Sequence, residues 1–487
     1  MTLKKEITPS RQDHEEGTIE DLELDRLGYK QELRRNRSVL TLLFQTLAIA
    51  AIPYGEGSPL LSAIYGGGPL SIFVGWIVVC LLDQCIAFSL AELASRYPTS
   101  AGPYYWTFQI SRGKKTTISF INAWIWLIGN WTITLSVNFG FASLISATIS
   151  IYHPTWSASS WQLLLIFYAV CLASLAICIF ANNHLPLVDT LCATWTLLTI
   201  IIILIAISVK ADTGRHSPSY TLSHYDKSFA GMISSMAEEC SNPAIKVPRA
   251  IALSVPVGGI AGLFFIIPIC ATLPPLQDII TAPAGQALPY ILARVMGSPA
   301  GGLGLISLVL VITVFCSISI TVAASRATWA VARDDAIPLA RLWARVDKRW
   351  GVPVWALVLL TVIQMLLGLI NLGSTSAFTA FVSVGVIALA AAYSVPIFLS
   401  LWHGREEVAK APWNCGGAVG RFVNVVALAW IAFELVLFSM PTSLPVTAVS
   451  MNYASVVFVG FMTISAVWFL VYARKSYKGP PASDALD

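Results

Sequence analysis

One stretch of this sequence sets a carboxylate among helix-breaking residues at bilayer depth. Pro53-Tyr54-Gly55-Glu56-Gly57-Ser58-Pro59 interrupts an otherwise apolar run over 39–63. Pro removes backbone donors and Gly weakens helix, so the run is expected to break at Pro53 to Ser58 and free several backbone groups. In hydrocarbon such groups are tolerated only where they line a protein-enclosed or water-filled cavity. A carboxylate at that depth costs a few kcal/mol to insert and is a functional candidate by default. Glu56 reads as a binding or coupling group, with a carboxylate that merely bonds freed amides near an outer vestibule as the plainer alternative. Asp83 and Glu434 also lie in apolar runs but have no Gly/Pro break beside them, so structural pairing or protonation is favoured there. Asn122, Asn130, Ser136 and Asn138 on the third apolar run could line a pathway or join helices, and for Asn130 the two readings are balanced.

Other chemistry is poorly supplied. The nine cysteines are scattered, mostly inside apolar runs, with no Cys-x-x-Cys pair and no neighbouring histidine cluster. They read as small core residues, and no metal or cofactor is expected. No P-loop is present and no His/Asp/Ser set shares one depth, which disfavours ATP-driven transport and, more strongly, a membrane enzyme. A net charge of +4, with the basic residues in short clusters, gives no reason to expect nucleic acid.

These residues are carried on an all-α chain in lipid. Of 487 residues 56% are hydrophobic and 11% charged, where soluble domains run at about 25% charged, and the mean hydropathy is +0.72. Runs long enough to cross a bilayer occur at 39–63, 69–94, 117–148, 161–181, 186–209, 249–273, 303–327, 352–372, 376–401, 422–440 and 452–473. A transmembrane domain over 38–473 is therefore expected between a disordered tail, 1–37, and a short one, 474–487. Basic clusters at 26–37, 96–115, 326–349, 405–421 and 474–478 should all be cytoplasmic, which places both termini inside. The segment at about 102–112 is expected to lie along that surface as a helix, with Tyr104, Tyr105 and Trp106 as interfacial anchors.

Parity exposes an irregularity. Five spans put Lys210 outside, whereas counting back from the basic 326–349 loop puts 238–249 inside, so the chain must cross near 219–238. The apolar material available is Phe229 to Ala237, about 14 Å as helix against about 30 Å of hydrocarbon. If Ser219 to Ser228 supplied the rest, His224, Asp226 and Lys227 would have to lie inside the bundle.

Several short pieces together resemble the amino acid–polyamine–organocation superfamily, and within it the fungal permeases for GABA, choline and related amines. They are Gly66-Gly67-Gly68-Pro69, Ser89 to Pro98 (SLAELASRYP) with Ser100 to Trp106 (SAGPYYW), Met236-Ala237-Glu238-Glu239 with Asn242-Pro243 and Val247 to Ala250, Ser325-Arg326 with Ala332-Arg333-Asp334, and Met451 to Ala454. The resemblance covers about 38–473. It implies two inverted five-helix repeats plus two C-terminal helices, with substrate held where the first and sixth helices unwind. On matching positions that site comprises Pro53, Tyr54, Gly55, Glu56, Gly57 and Ser58 together with Gly231 to Ser235, including Ser234 and Ser235, and faces the third helix, where Asn130 lies. Half-helix amides suit a carboxylate, while carbonyls and an acidic side chain suit an ammonium group, so Glu56 tilts the expectation towards a cationic amine.

The sequence departs from that pattern before the Met236 motif, where His224-Tyr225-Asp226 runs almost directly into Gly231 and the sixth helix is shortened. The resemblance implies a multi-pass permease of the plasma membrane importing a choline-, GABA- or polyamine-like amine, or an amino acid, with a proton as coupling ion. The alternative is a non-transporting membrane sensor or degenerate paralogue, which the incomplete helix would suit.

Overall fold

A computed structural model of the protein describes residues 27–30, 39–58, 60–65, 67–224, 246–280, 286–441, 447 and 451–482. Among them the chain is helical throughout, apart from one β-bridge between Asp347 and Val352. Eleven helical stretches are long and apolar enough to cross a membrane. Their cores coincide with the apolar runs of the sequence, because about 20 apolar residues are what a bilayer demands of any span.

The first span is divided into α1 (Val39–Ala50) and α2 (Ile52–Gly57), followed by a short α3 (Leu60–Tyr65). Then come α4 (Pro69–Arg96), the short α5 (Pro103–Ile110), α6 (Lys115–Ile149), α7 (Ser160–Phe180), α8 (Leu185–Lys210) and the short α9 (Pro218–Ser223). The second half contributes α10 (Lys246–Ala271), the short α11 (Ala287–Val295), α12 (Pro299–Arg333), α13 (Val354–Gly368) and α14 (Thr375–Trp402). Two further helices close the chain, α15 (Gly417–Leu437) and α16 (Ala454–Trp468).

The two halves repeat one another upside down. α4 packs on its counterpart α10, and α6 on α12, each of the latter pair being 35 residues long. After α4 the short α5 lies at the end of the bundle where Tyr104 meets Asp334, while after α10 the short α11 lies at the other end, where the Asp212 amide donates to the Val295 carbonyl. Close approach between long helices uses small residues, since lipid offers no hydrophobic drive for helix association. A Cβ at Gly129 of α6 would strike Leu389 of α14, and one at Gly385 would strike the Ile133 backbone. Asn138 ties four helices together: its amide donates to Gln364 (2.8 Å), and its carbonyl accepts from Ser317, which in turn meets Ser174.

One end of the bundle gathers most of the basic residues and both described chain ends, and is called the basic end below. Tyr29 and Tyr104 both donate to Asp334 Oδ2, at 2.8 and 2.7 Å, and the Arg333 guanidinium lies 3.7 Å from the Tyr29 ring. Burial pushes the Asp334 carboxyl above its ordinary range, against the pull of Arg333 and the two phenols. Tyr105 donates to the Leu27 carbonyl, and Gln109 to that of Pro481. Tyr104, Tyr105 and Trp106 are thus buried fastenings rather than interfacial anchors. The α5 helix itself forms close to the expected place, but on the inner side of this layer, where its hydroxyl and indole groups all find carbonyl or carboxylate partners.

The short α9 corrects a second expectation. Ser219 and His224 are exposed, Tyr220 stacks between His216 and His224, and the His224 carbonyl accepts from the Leu70 amide at the start of α4. The His216 amide donates to Ala271, the last residue of α10. Residues 218–224 therefore stay at the end opposite the basic one, outside the bundle interior. The polar turn satisfies an orphan α4 amide instead of entering hydrocarbon. Asp226, Lys227 and the rest of the expected sixth crossing lie outside the described residues.

Candidate functional site

The first span does break, but two residues ahead of Pro53 rather than across Pro53 to Ser58. Ala51 takes the left-handed conformation (φ 43, ψ 50), and Pro53 to Gly57 are helical, with Pro53 in the first turn of α2. Proline is well suited there, because its missing N–H would be unpaired anyway and its φ is already helical. One carbonyl near the break finds a partner on another helix: the Ile49 carbonyl accepts from the Cys316 thiol of α12 at 3.1 Å. Gly55 is required because a Cβ would lie 2.6 Å from the Ala50 carbonyl oxygen.

Successive residues of a helix turn by about 100°, so Tyr54 and Ser58 share a face and Glu56 points the other way. Tyr54 Oη donates to the Val137 carbonyl of α6 at 2.9 Å and occupies space left by Gly140, whose Cβ would collide with it. Ser58 lies on the same side and accepts a long 3.4 Å contact from Gln286. Gly57 is pressed against Leu288 of α11.

Glu56 enters the seam between α4 and α10. A Cβ on Gly262 of α10 would collide with Glu56 Oε1 and with the Trp76 indole of α4, so this glycine makes the space for both. Trp76 is itself fixed by donating to the Gly259 carbonyl at 3.0 Å. Both Glu56 carboxylate oxygens are buried and have no hydrogen-bond partner among the described residues. A buried carboxylate without donor or counter-charge is costly, so this group is suited to take up a proton or a cationic group. Gly259 and Gly262 are one turn apart on this seam, where a Cβ on Gly259 would meet Cys80, and small residues one turn apart are the sequence signal by which such a close helix approach could be found.

The remaining candidates are dispersed. Asn130 is buried and donates to the Trp126 carbonyl of its own helix at 2.8 Å, about 10 Å along α6 from Val137. Asn122 donates to Thr107, and Asn138 belongs to the four-helix tie described above. Asp83 accepts from the Trp430 indole of α15 at 2.8 Å, one turn from Glu434 on that helix. Gly231, Ser234 and Ser235 lie outside the described residues.

The SLAELASRYP segment, singled out only by resemblance, forms a second polar centre at the basic end. Glu92 receives two bonds from Arg405, at 2.9 and 2.7 Å, and one from the Cys415 amide, at 2.7 Å. Arg96 and Tyr97 both donate to Glu407 Oε2, while Lys410 holds Oε1. Burial raises the Glu407 carboxyl, but these bonds outweigh it and hold the group down at about 2.

An all-helical bundle of inverted halves with a broken first span is a transporter-type architecture, and sequence comparison agrees. Residues 39–462 match the amino acid permease family, and the chain belongs to it. It is 31% identical to the amino-acid permease BAT1 homolog of Oryza sativa subsp. japonica, over 94% of each chain. It is also 31% identical to an uncharacterized amino-acid permease of Schizosaccharomyces pombe, over 98% of this chain and 92% of the relative. Identity to the polyamine transporter TPO5 of Saccharomyces cerevisiae is 28%, over 97% of this chain and 81% of that one.

Proposed function

We propose that this permease imports a small amine or amino acid, of the choline, GABA or polyamine type, driven by protons and operating by alternate opening of the two ends of the bundle. Relatives named as amino-acid permeases and as a polyamine transporter support the substrate class. The observation that carries the reading is Glu56, a buried carboxylate beside a broken span and without a partner among the described residues. Substrate sits at the break, along Pro53 to Ser58, with Asn130 on the α6 side and Gly231, Ser234 and Ser235 on the sixth crossing. The basic end faces the cytoplasm of a plasma-membrane protein. Purified protein in proteoliposomes with an acid-outside gradient should accumulate labelled putrescine, choline or GABA, and a protonophore should abolish the accumulation. Failure with these amines and with all common amino acids would overturn the proposal. An impermeant thiol reagent that labels a Lys348→Cys variant in intact cells would reverse the orientation.

A second reading, a non-transporting sensor or degenerate paralogue, is favoured by one feature. His224 and Lys246 lie at opposite ends of α10, and Phe229 to Ala237 is the apolar run between them. Lengthening that run by about 20 apolar residues, a full span, should create uptake in a chain that lacks it under the second reading. Under the first reading, saturable uptake is present in the unmodified chain.

A further inference from the structure

A polar cavity of about 270 Å³ opens at the basic end, between the loop after α5 and the turn after α14. It is separate from the broken span and independent of the transport reading. Ser111 lines it and is only 2% exposed, yet its hydroxyl has no hydrogen-bond partner among the described residues. His403 also lines it, and its buried Nδ1 likewise has no partner among the described residues. Two lining residues from different elements therefore each carry a buried polar atom without a hydrogen-bond partner among the described residues.

The charges around it run against the ordinary preference of a helix. Lys115 lines the cavity and is the first residue of α6, a 35-residue helix whose N-cap, Lys114, is left-handed and makes no side-chain cap. No acidic residue stands in that first turn, and Arg112, Lys114 and Lys115 crowd its positive end. Cations there are each disfavoured by about 0.3–1 kcal/mol, whereas an anion would be stabilised by the dipole and by the uncapped amides. The carboxylates on the rim do not supply that anion. Glu406 pairs with Arg112, and Glu407 is held by Arg96, Tyr97 and Lys410.

The location indicates the source of an anion. Phe398 and Trp402 stack on each other immediately before His403 and are 50% and 73% exposed, an aromatic pair of the kind that sits at headgroup depth. The volume is several times the roughly 30 Å³ share of one water and admits a phosphate group.

We propose that this cavity is a binding site for a phosphate group, supplied by the headgroup of an anionic phospholipid in the leaflet at the basic end. Ser111 and Lys115 donate to the phosphate oxygens together with the first amides of α6, and His403 donates from Nδ1 when the proton is carried there.

Native mass spectrometry of the full-length protein, titrated with phosphatidic acid or phosphatidylcholine, tests this. Phosphatidic acid should bind at least tenfold more tightly than phosphatidylcholine, and the Ser111→Ala/Lys115→Gln pair should remove about tenfold of that affinity, the equivalent of one charge-assisted bond. Lys115 is exposed and in no ion pair among the described residues, so Lys115→Gln alone serves if the double variant is unstable. Lys348→Gln, an exposed cation elsewhere at the same end, should change nothing. If inorganic phosphate raises the Tm of the lipid-free protein but not of the double variant, while phosphatidic acid shows no preference, the site stands with free phosphate as its source. Unchanged phosphatidic acid binding in the variants, or an equal loss in Lys348→Gln, would overturn it.

Discussion

Glu56 and Glu92 are both acidic residues of membrane helices, and the chain treats them in opposite ways. Glu92 is 1% exposed and fully engaged: Arg405 grips both oxygens, the Cys415 amide adds a third bond, and Asn424 and Ser89 extend the network. The carboxylate oxygens of Glu56 are as well buried and have no partner among the described residues. The first arrangement joins the end of α4 to the α14–α15 loop and fixes one geometry. The second leaves a group without a donor or counter-charge among the described residues, which suits it to a proton or a cation. Two buried carboxylates of membrane helices are therefore not one kind of residue: the bonds of Glu92 fix a geometry, and Glu56 has none among the described residues that could.

The sharpest way to break this contrast is to strand Glu92. Arg405→Leu removes both side-chain bonds from a carboxylate that cannot reach water, and breaking a buried pair from one side costs about 3–5 kcal/mol. A large fall in Tm and in folded yield is expected, with partial recovery in Glu92→Gln/Arg405→Leu, where no charge is left unpaired. Equal stability of the single and double variants would show that Glu92 is less dependent on its partner than the geometry implies.

Glu56→Gln should behave in the opposite sense. No bond among the described residues is lost, so Tm should hold or rise, while uptake of a cationic amine should fall by about 30-fold or more, the loss of about 2 kcal/mol from a desolvated charge contact. Gly262→Ala should reproduce part of that loss, because its Cβ collides with Glu56 Oε1 and Trp76. Unaltered transport kinetics in both variants would return Glu56 to a purely structural role.

The two centres were unequally legible in the sequence. The eleven membrane-length stretches were plain, since lipid imposes one length and one composition on every span. The break was signalled by Pro53, Gly55 and Gly57, yet it falls at Ala51, because proline is accommodated by the first turn after a break as well as by the break itself. Tyr104 to Trp106 resembled interfacial anchors because aromatic belts and buried tyrosines share a composition. Only the positions of Leu27, Tyr97 and Asp334 show that their polar tips are occupied. The Glu92–Arg405 pair was hidden by sequence separation, which no periodicity can bridge. Ser219 to His224 was misplaced because length arithmetic assigns residues to a crossing without knowing that a polar turn can cap α4 instead.

A smaller effect separates the clasp at Glu407 from the buried one at Glu92. Glu407 is held at about 2, below its usual 4.5, so its bonds stabilise the folded state fully above about pH 4.5, and that contribution disappears as pH falls through about 2. Its side chain is 31% exposed, and solvent screening keeps the effect modest. Tm should therefore decline from pH 5 downwards more steeply in the parent protein than in Arg96→Gln, which loses two of the bonds to Oε2. Parallel pH profiles would show that the Arg96 bonds do not set the Glu407 titration.

The finest test concerns the face of α2 turned away from Glu56. Tyr54→Phe deletes one hydroxyl whose acceptor, the Val137 carbonyl, lies within α6 and keeps its helical bond, so the stability cost should be about 1 kcal/mol or less. If substrate occupies the seam between α2 and α6, losing that hydroxyl changes the wall of the site and should raise KM while Tm stays within a degree or two. If the seam is only packing, the same deletion moves Tm slightly and leaves KM alone. Tyr54→Phe therefore separates a face that binds from one that merely fits, and a change in Tm without any change in KM would confine the candidate site to the Glu56 side of the break.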